Sequence, residues 1–99
     1  MIRRIQATDE FTDWLDGLRD LYGRARIQAR IERLAEGNPG KHRYLGRGVS
    51  ELKIDAGPGY RVYYTQRNGV LILLLCGGDK STQRADVRVA YRILDDLAF

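Results

Sequence analysis

Seven consecutive apolar residues, Val70 to Cys76, follow an Asn68-Gly69 pair and run into Gly77-Gly78. Asn-Gly is the strongest short hairpin signal, because both central positions of a type I′ turn need positive φ. A strand that leaves such a turn with no polar position has no face to give to water. It must be central in a sheet and covered on both sides. With 99 residues the chain has room for a single core, so one domain over 1–99 is expected.

The preceding strands follow from that one. Tyr60 to Gln66 reads as the partner that enters the Asn-Gly turn, and Val49 to Asp55 as the strand before it. Gly57-Pro58-Gly59-Tyr60 between them suits a type II turn, with Pro at the second position and Gly at the third, where φ is positive. Residues 2–6 alternate loosely enough for a short edge strand. Thr8 is a candidate N-cap, with Asp9 and Glu10 in the first turn behind it. Phe11, Trp14, Leu15 and Leu18 then mark one helical face. A second helix is expected from Leu21 to Glu36, with Ile27, Ile31 and Leu34 inward, ended by Gly37-Asn38-Pro39. Arg24, Arg26, Arg30 and Arg33 fall outside that stripe and read as a solvated face. A last helix from Ser81 or Thr82 to Leu97 carries Val87, Ala90, Leu94 and Leu97. The expected order is β-α-α-β-β-β-α. This is an α+β fold, an antiparallel sheet packed on a helical hairpin with a C-terminal helix. Trp14, Leu18, Ile31, Leu52, Val62 and Leu74 are the expected core.

Composition narrows the chemistry. Seventeen basic against thirteen acidic residues give +4 and a pI near 9.5, which favours a polyanionic partner. A lone cysteine excludes an internal disulfide and a multi-cysteine zinc site, and fits a reducing cytosol. The N-terminal MIRRIQATDE has no apolar signal core, and no apolar run approaches a membrane span, so a cytoplasmic chain with no membrane partner is expected. GGDKS at 77–81 is not a phosphate loop, since Asp79 would oppose phosphate and Gly is missing before the Lys. His42 stands alone, so no metal site is expected.

Strand parity points to a surface. Leu52 and Ile54 face the side of Val62, Tyr60 and Tyr64, leaving Glu51, Lys53, Arg61 and Tyr63 together on the other. Two cations with an aromatic ring suit single-stranded RNA, by phosphate contact and stacking. The same residues also suit an ordinary exposed sheet with cross-strand pairs.

GVSELKID (48–55), GPGYRVYY (57–64) and LLLCGGDKSTQRADV (73–87) resemble the signature blocks of the addiction-module killer proteins. These are toxins of the RelE/ParE superfamily, in its HigB-like branch, and the likeness extends over essentially the whole chain. It implies a type II toxin neutralised by a co-encoded antitoxin, a small helix-turn-helix DNA-binding protein through which alone the toxin meets operator DNA. It implies as activity a ribosome-dependent, metal-independent mRNA endonuclease that needs no cofactor. The alternative within the superfamily is a ParE-like inhibitor of DNA gyrase. Carried over by position, Arg61 of G-Y-R-V-Y is the first catalytic candidate. Lys53 of E-L-K-I stands where Arg is frequent, and Lys80 of G-G-D-K and Tyr63 complete the set. Asp79, Ser81 and Thr82 also suit a helix cap. Arg24, Arg30, Arg47 and Arg84 are the expected RNA contacts beyond the catalytic group.

Overall fold

The computed structural model describes residues 2–97. The chain runs β1 (Arg4–Ala7), α1 (Asp9–Asp16), α2 (Leu21–Ala35), β2 (His42–Gly46), β3 (Val49–Ile54), β4 (Tyr60–Arg67) and β5 (Leu71–Asp79). A 3-10 turn (Lys80–Thr82) then leads into α3 (Gln83–Asp96). The strands make one sheet in the order β1-β5-β4-β3-β2, antiparallel except for β1, which runs parallel to β5. The α+β class is as expected, and the order gains a strand. β2 is an edge strand paired only with β3, and its first three residues are exposed. It therefore lacks the apolar alternation that marks a half-buried strand.

The local signals explain most boundaries. Thr8 caps α1 by accepting from Phe11 N at 3.1 Å, and its hydroxyl donates to Leu75 O at 2.6 Å, which pins the helix start to β5. Asp20 caps α2 through Gly23 N at 2.9 Å and accepts from the Tyr60 hydroxyl at 2.8 Å. Asn68 and Gly69 have φ of 58° and 68°, as a type I′ turn requires. Gly59 has the positive φ (84°) expected of it, but the closing hydrogen bond runs from its own N to Ala56 O, one residue earlier than the expected turn.

Helices cover both faces of β5, as its apolar run demands. On one side Phe11, Ile27 and Leu34 pack on Leu52, Ile54, Tyr60, Val62, Tyr64, Ile72 and Leu74. On the other, Ala90 and Ile93 of α3 pack on Val49, Tyr63, Leu73, Leu75 and Cys76. A bulge opposite Tyr63 and Tyr64 leaves Leu75 unpaired, so Leu75 and Cys76 both turn toward α3. Of the expected core, Leu52, Val62 and Leu74 are fully enclosed, whereas Trp14, Leu18 and Ile31 are half-buried at its margin. Trp14 packs where Gly77 has no side chain, and a Cβ there would run into its six-membered ring. Leu97 is exposed; Ile93 takes the inward place on α3.

Candidate functional site

Leu52 and Ile54 pair with Val62 and Tyr60 toward α1 and α2, and Glu51, Lys53, Arg61 and Tyr63 lie on the opposite face. That parity is as expected, but the face is not open. α3 crosses it, so Glu51 and Tyr63, expected at the surface, have no exposed area. Gln83 Nε2 at the start of α3 donates to Glu51 Oε2 at 2.7 Å. Glu51 Oε1 and the hydroxyl of its cross-strand partner Tyr63 are buried without a well-formed hydrogen bond. Burial, and then the Glu51 charge, push the Tyr63 hydroxyl far above its ordinary range. Tyr63 can neither stack on a base nor exchange a proton with a substrate from there.

Lys53 and Arg61 lie beyond the first turn of α3 as direct cross-strand partners, both half-buried. Neighbouring strands bring them to about 5 Å backbone separation. Arg61 Nη1 donates to Gly59 O at 3.1 Å and Tyr60 O at 3.2 Å, while its Nε is buried and unpartnered. Lys80 joins from the end of β5, its backbone N donating to Gly59 O at 2.9 Å. A Cβ built on Gly59 would lie 3.5 Å from both Arg61 Nη1 and Lys80 Cβ, at ordinary contact distance, so these two residues flank the same glycine. On the other flank Lys41 O accepts from Lys53 N at 3.0 Å, and its ammonium pairs with Asp55 at 3.4 Å. Lys41, Lys53, Arg61 and Lys80 thus form a basic row across the sheet end.

The turn that carries Lys80 is held by a capping box. Asp79 accepts from Ser81 N at 2.8 Å and from the Ser81 hydroxyl, and Asp79 N donates to Thr82 Oγ1 at 3.2 Å. The Ser81 hydrogen bonds keep the Asp79 carboxyl below its ordinary range. Its negative charge is thereby committed to the turn.

The remaining expected contacts scatter. Arg30 does not face solvent: it is 7% exposed and its guanidinium donates to Lys53 O (2.6 Å), Pro39 O (2.7 Å) and Lys41 O (2.9 Å). It stitches α2 to β3 and to the segment before β2, and its one unpartnered nitrogen, Nε, is buried away from any RNA. Arg24 is half-buried on the α1–α2 side, 3.7 Å from Asp16. Arg47 and Arg84 are exposed on the α3 side of the sheet, Arg47 over the Tyr91 ring. His42 Nδ1 lies 2.7 Å from Gly40 O on the exposed edge. Among the described residues no cluster of three His, Cys, Asp or Glu is placed to hold a metal. Cys76 is buried and burial pushes its thiol up to about 12. Sequence reasoning passed over Lys41, Arg43 and Gln83. The first two fall into place only once β2 is paired, and Gln83 only once α3 is seated.

A five-stranded sheet between a helical hairpin and a C-terminal helix is the RelE-type fold. The chain aligns with the structure of a double arginine-to-alanine mutant of E. coli toxin RelE in the free state, at a TM-score of 0.76 and 15% identity, over 95% of this chain and 100% of that one. Residues 13–95 match the family described as Phage derived protein Gp49-like (DUF891), and the chain belongs to that family. It is also 47% identical over 97 residues to an uncharacterized protein of Haemophilus influenzae, covering 98% of both chains. Among the described residues no helix is long and apolar enough to cross a membrane.

Proposed function

We propose that this chain is a HigB-like toxin of a type II toxin–antitoxin module that cuts mRNA on the ribosome. The observation that carries the reading is the convergence of Lys53, Arg61 and Lys80 at the open end of the sheet, on a fold shared with a protein named a toxin. In the reaction the ribose 2′-oxygen attacks the adjacent phosphorus and the bond to the 5′-oxygen breaks. A 2′,3′-cyclic phosphate and a 5′-hydroxyl result. Arg61 meets the charge growing on the phosphoryl oxygens, exchanging its two carbonyl contacts for a bidentate one. Lys53 and Lys80 flank Arg61 and serve the two proton transfers, one taking the 2′-hydroxyl proton and the other supplying one to the leaving oxygen. Each group is weak alone, so alignment of the message by the ribosome supplies much of the rate. Tyr63 and Arg30 have no part in contact with RNA.

The antitoxin would present an acidic or amphipathic segment to the basic row, and would carry the complex to operator DNA. The cytoplasm, where ribosomes and messages meet, is the place of action. The test is incubation of the purified chain with mRNA, alone and on programmed ribosomes, with end-group analysis by mass spectrometry. Cyclic phosphate ends only in the ribosome-containing reaction are expected. Intact mRNA beside inhibited gyrase supercoiling would overturn the nuclease reading in favour of a ParE-like target.

A further inference from the structure

Charge is unevenly spread over the two layers of the molecule. The exposed side of α1 carries Asp9, Glu10, Asp13 and Asp16, whereas the α3 side of the β2 edge carries arginines. Arg43 is the direct cross-strand partner of Glu51, which Gln83 ties to the first turn of α3, so Arg43 borders the start of that helix. Arg84, Arg88 and Tyr91 follow at i, i+4 and i+7 along one stripe of α3. The Tyr91 hydroxyl donates to Leu45 O at 3.1 Å and Gly46 O at 2.8 Å, which turns this stripe toward β2. At its far end the Arg47 guanidinium sits 4.5 Å from the centre of the Tyr91 ring. Arg47 has φ of +47° between Gly46 and Gly48, both also at positive φ. A side chain rarely tolerates that conformation, and the turn spends it on placing a cation over a ring. Among the described residues none of Arg43, Arg47, Arg84 and Arg88 is held in an ion pair.

We infer that the exposed arginine-bearing surface along the seam where α3 packs on β2 is the path by which a single RNA strand leaves the Lys53–Arg61–Lys80 row, its phosphates held by Arg43, Arg84 and Arg88 and one base stacked on Arg47. The inference rests on the nuclease reading for its ligand and extends it from a cleavage point to a binding track. The stripe from Arg84 to Tyr91 is about 10 Å long at the helical rise per residue, and it starts beside the row. Unpaired exposed arginines carry counter-ions that phosphates can displace. A guanidinium laid on a tyrosine offers its outer plane to a base, a contact that needs an unpaired strand rather than a duplex.

The test is fluorescence anisotropy of a labelled twelve-nucleotide single-stranded RNA against the full chain carrying Arg61→Ala, titrated with salt. Each phosphate neutralised on a single strand contributes about 0.7 to the slope of log K against log salt. The double change Arg84→Gln/Arg88→Gln should therefore lower the slope by about 1.4. Arg26→Gln/Arg33→Gln, on the exposed side of α2 in the other layer, should leave it unchanged. An unchanged slope in the α3 variant, an equal loss in the α2 variant, or no RNA binding by the chain would overturn the path. Binding is read without cleavage, so a slope change in the Arg61→Ala background beside a wild-type chain that cuts nothing on ribosomes fails the nuclease reading alone. Cutting by the wild-type chain with no slope change in that background fails only the path.

Discussion

Arg61 is the residue on which the proposed chemistry turns, and its environment says what its removal does. Its neighbours along β4, Tyr60 and Val62, hold the core, while its own side chain spans the half-open end of the sheet. Arg61→Ala removes a half-buried side chain at the margin of the sheet and none of the enclosed core, and the fold should survive. Loss of one fixed cation at the phosphate should lower cleavage by about 10²–10³, or about 2.7–4 kcal/mol of transition-state stabilisation. Arg61→Lys should recover part of it, because a point charge cannot reproduce a fork. Single-turnover cleavage on programmed ribosomes measures both. Gly77 is the opposite case, a residue with only a structural task. Gly77→Ala drives a methyl into Trp14, which is wedged between Phe11 and Tyr60 with ring centroids 5.7 and 6.2 Å away. Overpacking of this kind costs about 1–3 kcal/mol, so the urea midpoint should fall with the m-value unchanged. An unshifted midpoint would mean that Trp14 moves aside freely.

Among the elements, α2 is secured by two polar fastenings. Arg30 satisfies three carbonyls that precede or border β2 and β3. Arg30→Ala removes this donor from the part-buried Lys53 and Pro39 carbonyls, while Lys41 O keeps Lys53 N, and since each such loss costs about 1–3 kcal/mol, the variant should lose about 2 kcal/mol in denaturant unfolding. Asp20 fastens the other end, and the Gly23 amide followed by the Tyr60 hydroxyl lowers its pKa below 3.8. A depressed folded pKa means that this stabilisation is complete above about pH 4 and disappears as acid protonates the carboxylate below it. Asp20→Asn should flatten the stability loss between about pH 4 and the acid end; an unaltered acid limb would contradict the cap. Much of this layer was legible in the sequence. The Thr8 cap, the Asn68-Gly69 turn and the parity of β3 and β4 all follow from local chemistry. β2 was hidden because an exposed edge strand has no apolar period. The burial of Glu51 and Tyr63 was hidden because periodicity shows that α3 has an apolar stripe but not which face of the sheet receives it. Arg30 did leave a signal: it stands three residues after Ile27 and four before Leu34, on the inward stripe itself.

At the scale of the whole molecule, the helical hairpin closes one face of the sheet and the proposed site lies at the end of the other, beyond α3. α1 and α2 close one face of the sheet, and α3 closes the other only as far as Gln83, so the last strand positions and the turn after β5 stay open to a ligand. The open end gathers Lys53, Arg61 and Lys80, and the +4 balance of the chain lies behind it. Association with a polyanion should accordingly slow as salt rises. The resemblance read from G-P-G-Y-R-V-Y and G-G-D-K-S-T-Q agrees with the fold and the family, while the activity rests on that open end. Primer extension on a reporter mRNA after induction, in cells making the wild-type chain or a folded Arg61→Ala variant, tests it most directly. Discrete cuts within translated sequence, present with the wild type and lost with Arg61→Ala, are the expected result. Uncut message during wild-type growth arrest, or cutting by Arg61→Ala at the wild-type rate, would contradict it.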